Sequence, residues 1–141
     1  MPGSFDGGLL NGGSLHSRAF AGSVIVVNFW ASWCPPCVIE TPQFELAYEG
    51  LRREHRQVEF VGINTKDTRS SARTFVHDNA INYPIVFDQD GNVALQLGGL
   101  PTPSLPDTVL IDKHGRIAGT YIGLLEPKDL EPMIDRLLAE P

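Results

Sequence analysis

The sequence predicts an α/β fold: a central mixed β-sheet flanked by helices, with a β-hairpin at the N-terminus. Three observations carry this expectation. The run 24–30 is β-branched and aromatic with almost no alternation, the pattern of a strand covered on both faces, and 58–64 reads as a second buried strand. Each is followed by a helical pattern and a further strand, and successive βαβ units lay their strands parallel. A hairpin signal near the C-terminus then adds an antiparallel pair, which makes the sheet mixed.

The elements follow in order. The opening is glycine-rich, and Asn11-Gly12 between Leu9-Leu10 and Ser14-Leu15 signals a small hairpin. Residues 1–8 are expected to be flexible. Val24 to Trp30 reads as the central strand. Pro35 and Pro36 open a helix running from about Cys34 to Arg56, in which Phe44, Ala47, Tyr48 and Leu51 share a face at i, i+3, i+4 and i+7. Pro42 lies inside it, lacks an N–H and predicts a kink against the carbonyl of Val38. Val58 to Asn64 is a second buried strand. Thr68 to Asn79 is a helix capped by Asp67 or Thr68, with Ala72, Phe75 and Val76 facing inward. Pro84 to Phe87 forms a short third strand, 88–91 a turn, and Val93 to Leu97 one or two helical turns before the proline-rich stretch 100–106. Thr108 to Ile111 and Ile117 to Ile122 pair as a hairpin through Asp112-Lys113-His114-Gly115. In the last helix Leu130, Met133, Ile134 and Leu137 share a face, and Pro132 fits its first turn if Asp129 is the N-cap.

Composition excludes several classes. The 141 residues correspond to one ordinary domain, and 42% hydrophobic with 20% charged residues is a globular balance rather than a disordered one. Seventeen acidic residues against eleven basic give a net charge of −6, and the basic residues cluster only at Arg52, Arg53 and Arg56, so nucleic acid and anionic membrane surfaces are unexpected partners. The longest apolar stretch, 24–31, is far short of the ~20 residues that span a bilayer. Residues 1–6 carry no signal-peptide pattern, which leaves a cytosolic protein or a piece separated from its signal or anchor.

Two cysteines, Cys34 and Cys37, cannot build a disulfide framework. They sit in Trp33-Cys34-Pro35-Pro36-Cys37, where the central strand ends and the first long helix begins, the setting in which C-x-x-C is read as a redox pair. The spacing lets both sulfurs meet across one helical turn. The helix N-terminus offers free N–H groups and positive potential to a thiolate at Cys34, the expected nucleophile. Cys37, one turn further in, is the resolving thiol that releases a mixed disulfide. A zinc half-site would need two more ligands, and His16, His55, His77 and His114 are not paired at ligand spacing. They read as surface residues, and no metal is expected. An inert structural disulfide is the other alternative.

The segment Val26-Val27-Asn28-Phe29-Trp30-Ala31-Ser32-Trp33-Cys34-Pro35-Pro36-Cys37 resembles the thioredoxin superfamily, in particular its TlpA/ResA-like branch, which includes the cytochrome c maturation thioredoxins. Pro42 stands where that superfamily kinks its first long helix. The resemblance continues through Val61 to Asn64, Phe87 to Gly91 and Thr108 to Asp112, and covers nearly the whole chain from about Phe5. It implies a thioredoxin fold in a single domain, 1–141, with an inserted helix–strand unit at and after 68–79. The branch carries an acidic residue three positions after its second cysteine, and Glu40 stands there. The spacing puts Glu40 on the helix face of Cys37, within reach of proton exchange with that thiol, although most single glutamates are simply solvated. The superfamily also places a cis-proline against the cysteine pair, just before a strand. Of Pro101, Pro103 and Pro106, the last fits best, because Leu105-Pro106-Asp107-Thr108 leads directly into the strand. The backbone of Leu105 would then pair with an extended substrate. Trp33, either a cap over Cys34 or an ordinary half-buried aromatic, joins Pro35, Pro36 and Leu105 as the expected substrate-contacting residues.

These expectations combine into a thiol–disulfide oxidoreductase acting on protein disulfides through its WCPPC pair, with no cofactor beyond the Cys34–Cys37 disulfide. Pro35 and Pro36 lack N–H groups that could stabilise a Cys34 thiolate, and Glu40 opposes it too, which favours the reducing end of the scale, nearer ~−270 mV than ~−120 mV. The resemblance implies an exported, membrane-anchored reductant, with the glycine-rich opening as the remnant of a tether. It also implies apocytochrome c as substrate and a membrane thiol reductant as upstream partner. An oxidase that inserts disulfides into secreted proteins is the near alternative, and a binding module with an inert disulfide the distant one. Size and charge fit a monomer.

Overall fold

The structure, a computed structural model, describes residues 2–54, 56–99 and 104–141. His55, Pro101 and Pro103 lie outside the described residues. The elements run β1 (Asp6–Gly8), β2 (Ser14–His16), a 3-10 turn (Ser17–Phe20), β3 (Val24–Trp30), α1 (Pro35–Arg53), β4 (Val58–Asn64), α2 (Arg69–Asp78), β5 (Ile85–Phe87), α3 (Asn92–Gln96), β6 (Asp107–Ile111), β7 (Ile117–Ile122) and α4 (Pro127–Ala139). The main sheet has the order β5-β4-β3-β6-β7. β3 lies at its centre, parallel to β4 and antiparallel to β6, while β5 is parallel to β4 and β7 antiparallel to β6.

The unbroken apolar character of β3 follows from this position, since alternate residues face two different cores. Val24, Val26 and Trp30 join Phe44 of α1, Ala72 of α2 and Leu130 of α4. Ile25, Val27 and Phe29 join Phe5, Val93 of α3 and Ile111. Asn28 is the one polar residue in the strand, and it is buried. The register sets Trp30 beside Asn64, Asn28 beside Thr108 and Phe29 beside Asp107, so the ends of three strands meet at one edge of the sheet.

Residues 2–8 pack onto the rest of the fold: Phe5 is buried, the Gly3 N–H donates to the Gly115 carbonyl at 2.8 Å, and Asp6 exchanges two hydrogen bonds with the Gln96 side chain. Two expectations are corrected. The Asn11-Gly12 hairpin exists, but its loop spans 9–13, closed by Leu9 N–H to the Gly13 carbonyl. The first residues of that loop run along β5, with Leu9 bridged to Val86 and the Leu10 N–H bonded to the Ile85 carbonyl. Gly7 is required there, because a Cβ would come 2.5 Å from a methyl of Val86. Finally, α4 is capped at Glu126 rather than Asp129. Pro127, with its fixed φ, opens the helix, and Asp129 and Leu130 both donate to the Glu126 carbonyl. Pro132 consequently sits in the helix interior.

Candidate active site

Cys34 and Cys37 form a disulfide with their Cα atoms 5.2 Å apart. Cys34 is the N-cap of α1, and its Sγ accepts the Cys37 N–H at 3.3 Å. Pro35 and Pro36, both exposed, have no N–H to contribute. Both cysteines are buried, Cys34 retaining 3% of its accessible surface and Cys37 none. The peptide bond between Leu105 and Pro106 is cis, and the Leu105 carbonyl lies 3.6 Å from Cys34 Sγ. A disulfide sulfur has no proton, so this carbonyl becomes a hydrogen-bond acceptor only when Cys34 is a thiol. Trp33 is 58% exposed, with its indole N–H donated to the Lys66 carbonyl at 2.6 Å.

Glu40, three residues past Cys37, is not a solvated helix residue but is almost completely buried. Asn28 Nδ2 donates to its Oε1 at 2.6 Å, and the Leu125 N–H to its Oε2 at 2.7 Å. Burial pushes its pKa up to about 7 against the pull of these two bonds, and the nearby Asp107 carboxylate adds to the rise. Asp107, directly after the cis-proline, is also buried, and neither of its carboxyl oxygens has a hydrogen-bond partner. The neighbouring Gly123 N–H, which could lower its pKa, is directed at the Pro106 carbonyl at 2.8 Å, and burial lifts Asp107 to about 6. The Asn28 carbonyl oxygen and the hydroxyls of Thr41 and Thr108 are likewise buried without partners.

A third carboxyl group behaves differently. Asp67, in the loop between β4 and α2, accepts four hydrogen bonds: from the Ser32 N–H and hydroxyl, Asn64 Nδ2 and the Thr68 N–H, at 2.7–3.0 Å. Burial opposes its ionisation, but these donors prevail and hold it below the usual carboxylate range. The sequence reading considered Asp67 only as a helix cap. That role belongs to Thr68, whose hydroxyl accepts the Ser71 N–H at 3.1 Å.

The structure thus brings Trp33, Cys34, Pro35, Pro36, Cys37, Leu105 and Pro106 together at the sheet edge, with Glu40 buried one helical turn behind Cys37. Sequence reasoning missed Asn28, Asp67 and Asp107. A lone amide inside the apolar run 24–30 was a usable signal for the first, whereas the other two depend on contacts between distant segments. Among the described residues, no group of three or more His, Cys, Asp or Glu side chains could hold a metal ion. Nor is any helix among them long and apolar enough to cross a membrane.

Comparison with known proteins agrees with this geometry. Residues 4–120 match the AhpC/TSA family. The chain is 30% identical over 131 residues to the thiol-disulfide oxidoreductase ResA of Halalkalibacterium halodurans, covering 93% of this chain and 72% of that one. It is 33% identical over 135 residues to the thiol:disulfide interchange protein DsbE of Vibrio cholerae, with 91% and 68% covered. Among solved structures, a secreted thiol-disulfide isomerase from Corynebacterium glutamicum superposes with a TM-score of 0.91 at 29% identity, covering 99% of this chain and 86% of that one. A DsbF homologue from Corynebacterium diphtheriae gives 0.88 at 31%, with 96% and 85% covered. The α/β architecture is therefore the thioredoxin fold expected from the resemblance. A C-x-x-C disulfide at a helix N-terminus, on this fold and among these relatives, places the chain in the AhpC/TSA family, on its ResA/DsbE-like side, as a thiol–disulfide oxidoreductase.

Proposed function

We propose that the protein is an extracytoplasmic reductant of protein disulfides. The observation that carries this reading is the Cys34–Cys37 disulfide at the start of α1, with a single N–H, that of Cys37, directed at Cys34 Sγ. Two prolines occupy the positions whose amides would otherwise add donors, so the Cys34 thiolate is weakly stabilised and the dithiol gives up its electrons readily. In the reduced protein, Cys34 attacks one sulfur of a substrate disulfide, forms a mixed disulfide and displaces the other sulfur as a thiolate. Cys37 loses its proton and attacks Cys34, which releases the second substrate thiolate and regenerates the Cys34–Cys37 disulfide. Two electrons pass to the substrate, whose thiolates take up two protons. Glu40 is the base that receives the Cys37 proton, directly or through water. Trp33, Pro35, Pro36 and the Leu105 backbone form the docking rim, and cis-Pro106 orients it.

The substrate class is an extended segment carrying a cysteine pair, such as the haem-attachment C-x-x-C-H of an apocytochrome c, and a membrane thiol reductant restores the dithiol. The location is supported by the Corynebacterium glutamicum neighbour, which is described as secreted. The protein works as a single-domain monomer with no cofactor beyond its own disulfide.

The test is the equilibrium reduction potential of the pair, read from tryptophan fluorescence across thiol–disulfide buffers. A value below about −220 mV supports the reductant, and one above about −150 mV makes the protein an oxidase of secreted chains. No reversible titration would leave a binding module with an inert disulfide. Cys37→Ser should trap a mixed disulfide with a cysteine-pair peptide, while Cys34→Ser should abolish exchange altogether; both are read by mass spectrometry.

A further inference from the structure

The loop between β4 and α2 takes no part in the exchange chemistry above, yet it holds nearly every residue that leads into Cys34. The Thr65 N–H donates to the Trp30 carbonyl at 3.1 Å. The Asp67 carboxylate accepts the Ser32 N–H at 2.7 Å on one oxygen and the Ser32 hydroxyl at 2.9 Å on the other. Each oxygen takes a second bond, from Asn64 Nδ2 at 3.0 Å and from the Thr68 N–H at 2.8 Å, so the carboxylate is held from four directions. The Lys66 carbonyl takes the Trp33 indole N–H, and to present it Lys66 adopts φ = +52°, a left-handed conformation unusual for a residue with a side chain. Asp67 is tied in turn to the turn after β5, its N–H donating to Gln89 Oε1 at 3.0 Å.

This arrangement treats the two cysteines unequally. Cys37 lies inside α1 and is positioned by the helix itself. Cys34 is the N-cap: α1 holds it on one side, through the Val38 N–H donated to its carbonyl at 3.1 Å, and on the other side its position is set by the segment 31–33, to which its own N–H is bonded at the Ala31 carbonyl at 3.2 Å, and by whatever holds that segment. The equilibrium between a dithiol and its disulfide measures the effective concentration of one sulfur at the other, which depends on how tightly each is placed.

We propose that Asp67 is a positioning residue for the redox pair: acting through Ser32, with the Lys66 carbonyl acting through Trp33, it sets the effective concentration of Cys34 at Cys37 and so the stability of the disulfide. The proposal rests on the redox reading above and assigns its control to a loop outside the C-x-x-C segment. A clasp that served folding alone would stabilise the oxidised and reduced proteins equally and would leave their equilibrium unchanged.

The experiment is the equilibrium constant for oxidation of the pair by glutathione, measured on the folded protein. It compares wild type with Asp67→Ala, Asp67→Asn, Ser32→Ala and the Ser32→Ala/Asp67→Ala double variant. Asp67→Ala should lower the constant about tenfold, which makes the potential about 30 mV less negative. Ser32→Ala removes the hydroxyl but keeps the N–H bond, and should lower it about threefold. The double variant should match Asp67→Ala alone, because the two changes remove a shared contact. If Asp67→Ala does not fold, Asp67→Asn and Ser32→Ala carry the same test, each with a constant reduced at least twofold. Wild-type constants in these folded variants would overturn the clasp while leaving the redox function intact. A wild-type protein that does not exchange with glutathione would overturn the redox function and the clasp with it.

Discussion

Asp67 is bonded to the segment that leads into the Cys34–Cys37 pair, while Glu40 projects from the helix that leads out of it. Both carboxyl groups are buried, and their protons are held in opposite ways. Four donors meet the Asp67 carboxylate and keep it ionised below the normal range. Two meet Glu40, none meets Asp107 beside it in the site, and both of these are lifted toward neutrality. Burial by itself therefore does not decide whether a carboxyl group titrates at working pH; the supply of N–H and O–H donors does. The entry side of the site is a fixed anion suited to holding a chain in place. The exit side is an under-donated pair of acids suited to moving a proton.

The largest effect that would break this contrast concerns Glu40. A carboxyl group whose pKa is raised on folding binds its proton more tightly in the folded state. Its stabilisation is complete below about pH 4.5 and is lost as the pH rises through about 7, a loss on the order of 3 kcal/mol. Glu40→Gln should remove that loss, so urea unfolding at pH 5 and pH 8 should give more nearly equal stabilities than in wild type. An unaltered pH dependence in the variant would show that Glu40 is not the group responsible. Asp107→Asn should act in the same direction over a lower window, between about pH 4 and 6, and gain roughly 2 kcal/mol at pH 8 by removing an unpaired buried charge. On the other side Thr68→Ala, which removes the cap of α2 next to Asp67, should cost about 1 kcal/mol equally at pH 5 and pH 8. Asp67 itself loses its stabilisation only as the pH falls below its ordinary value of 3.8, so acid unfolding, not neutral pH, should expose it.

The parts of this molecule readable in sequence are those set by local pattern. The strands 24–30 and 58–64 match the expected limits because a strand covered on both faces is predominantly apolar and β-branched, whatever single polar residue it carries. The redox pair is readable because its chemistry needs one helical turn between sulfurs. Glu40 is placed by the same spacing, but its burial is not, since three residues along a helix fix a direction and not what covers it. Leu125, which helps cover it, arrives from 85 residues away. Asp67 stays hidden for a related reason: an aspartate before a helix looks like a cap, and only the register of Trp30 against Asn64 brings it to Ser32. The Glu126 cap of α4 was obscured by the assumption that Pro132 must fall in the first turn, when Pro127 already occupied the position a helix start favours.

The hairpin at the N-terminus also has a bearing on solubility. β5 is only three residues long and is the outermost strand of the main sheet on its side. A bare margin of this kind is a template on which another polypeptide can add itself, and short strands alone are an incomplete defence. Here Leu9 and Leu10 of the same chain occupy that margin through the bridge to Val86 and the bond to the Ile85 carbonyl. The glycine-rich opening thus covers the sheet edge: a thiol–disulfide oxidoreductase, which must meet other polypeptides at one end of its sheet, is shielded from pairing with them along its side.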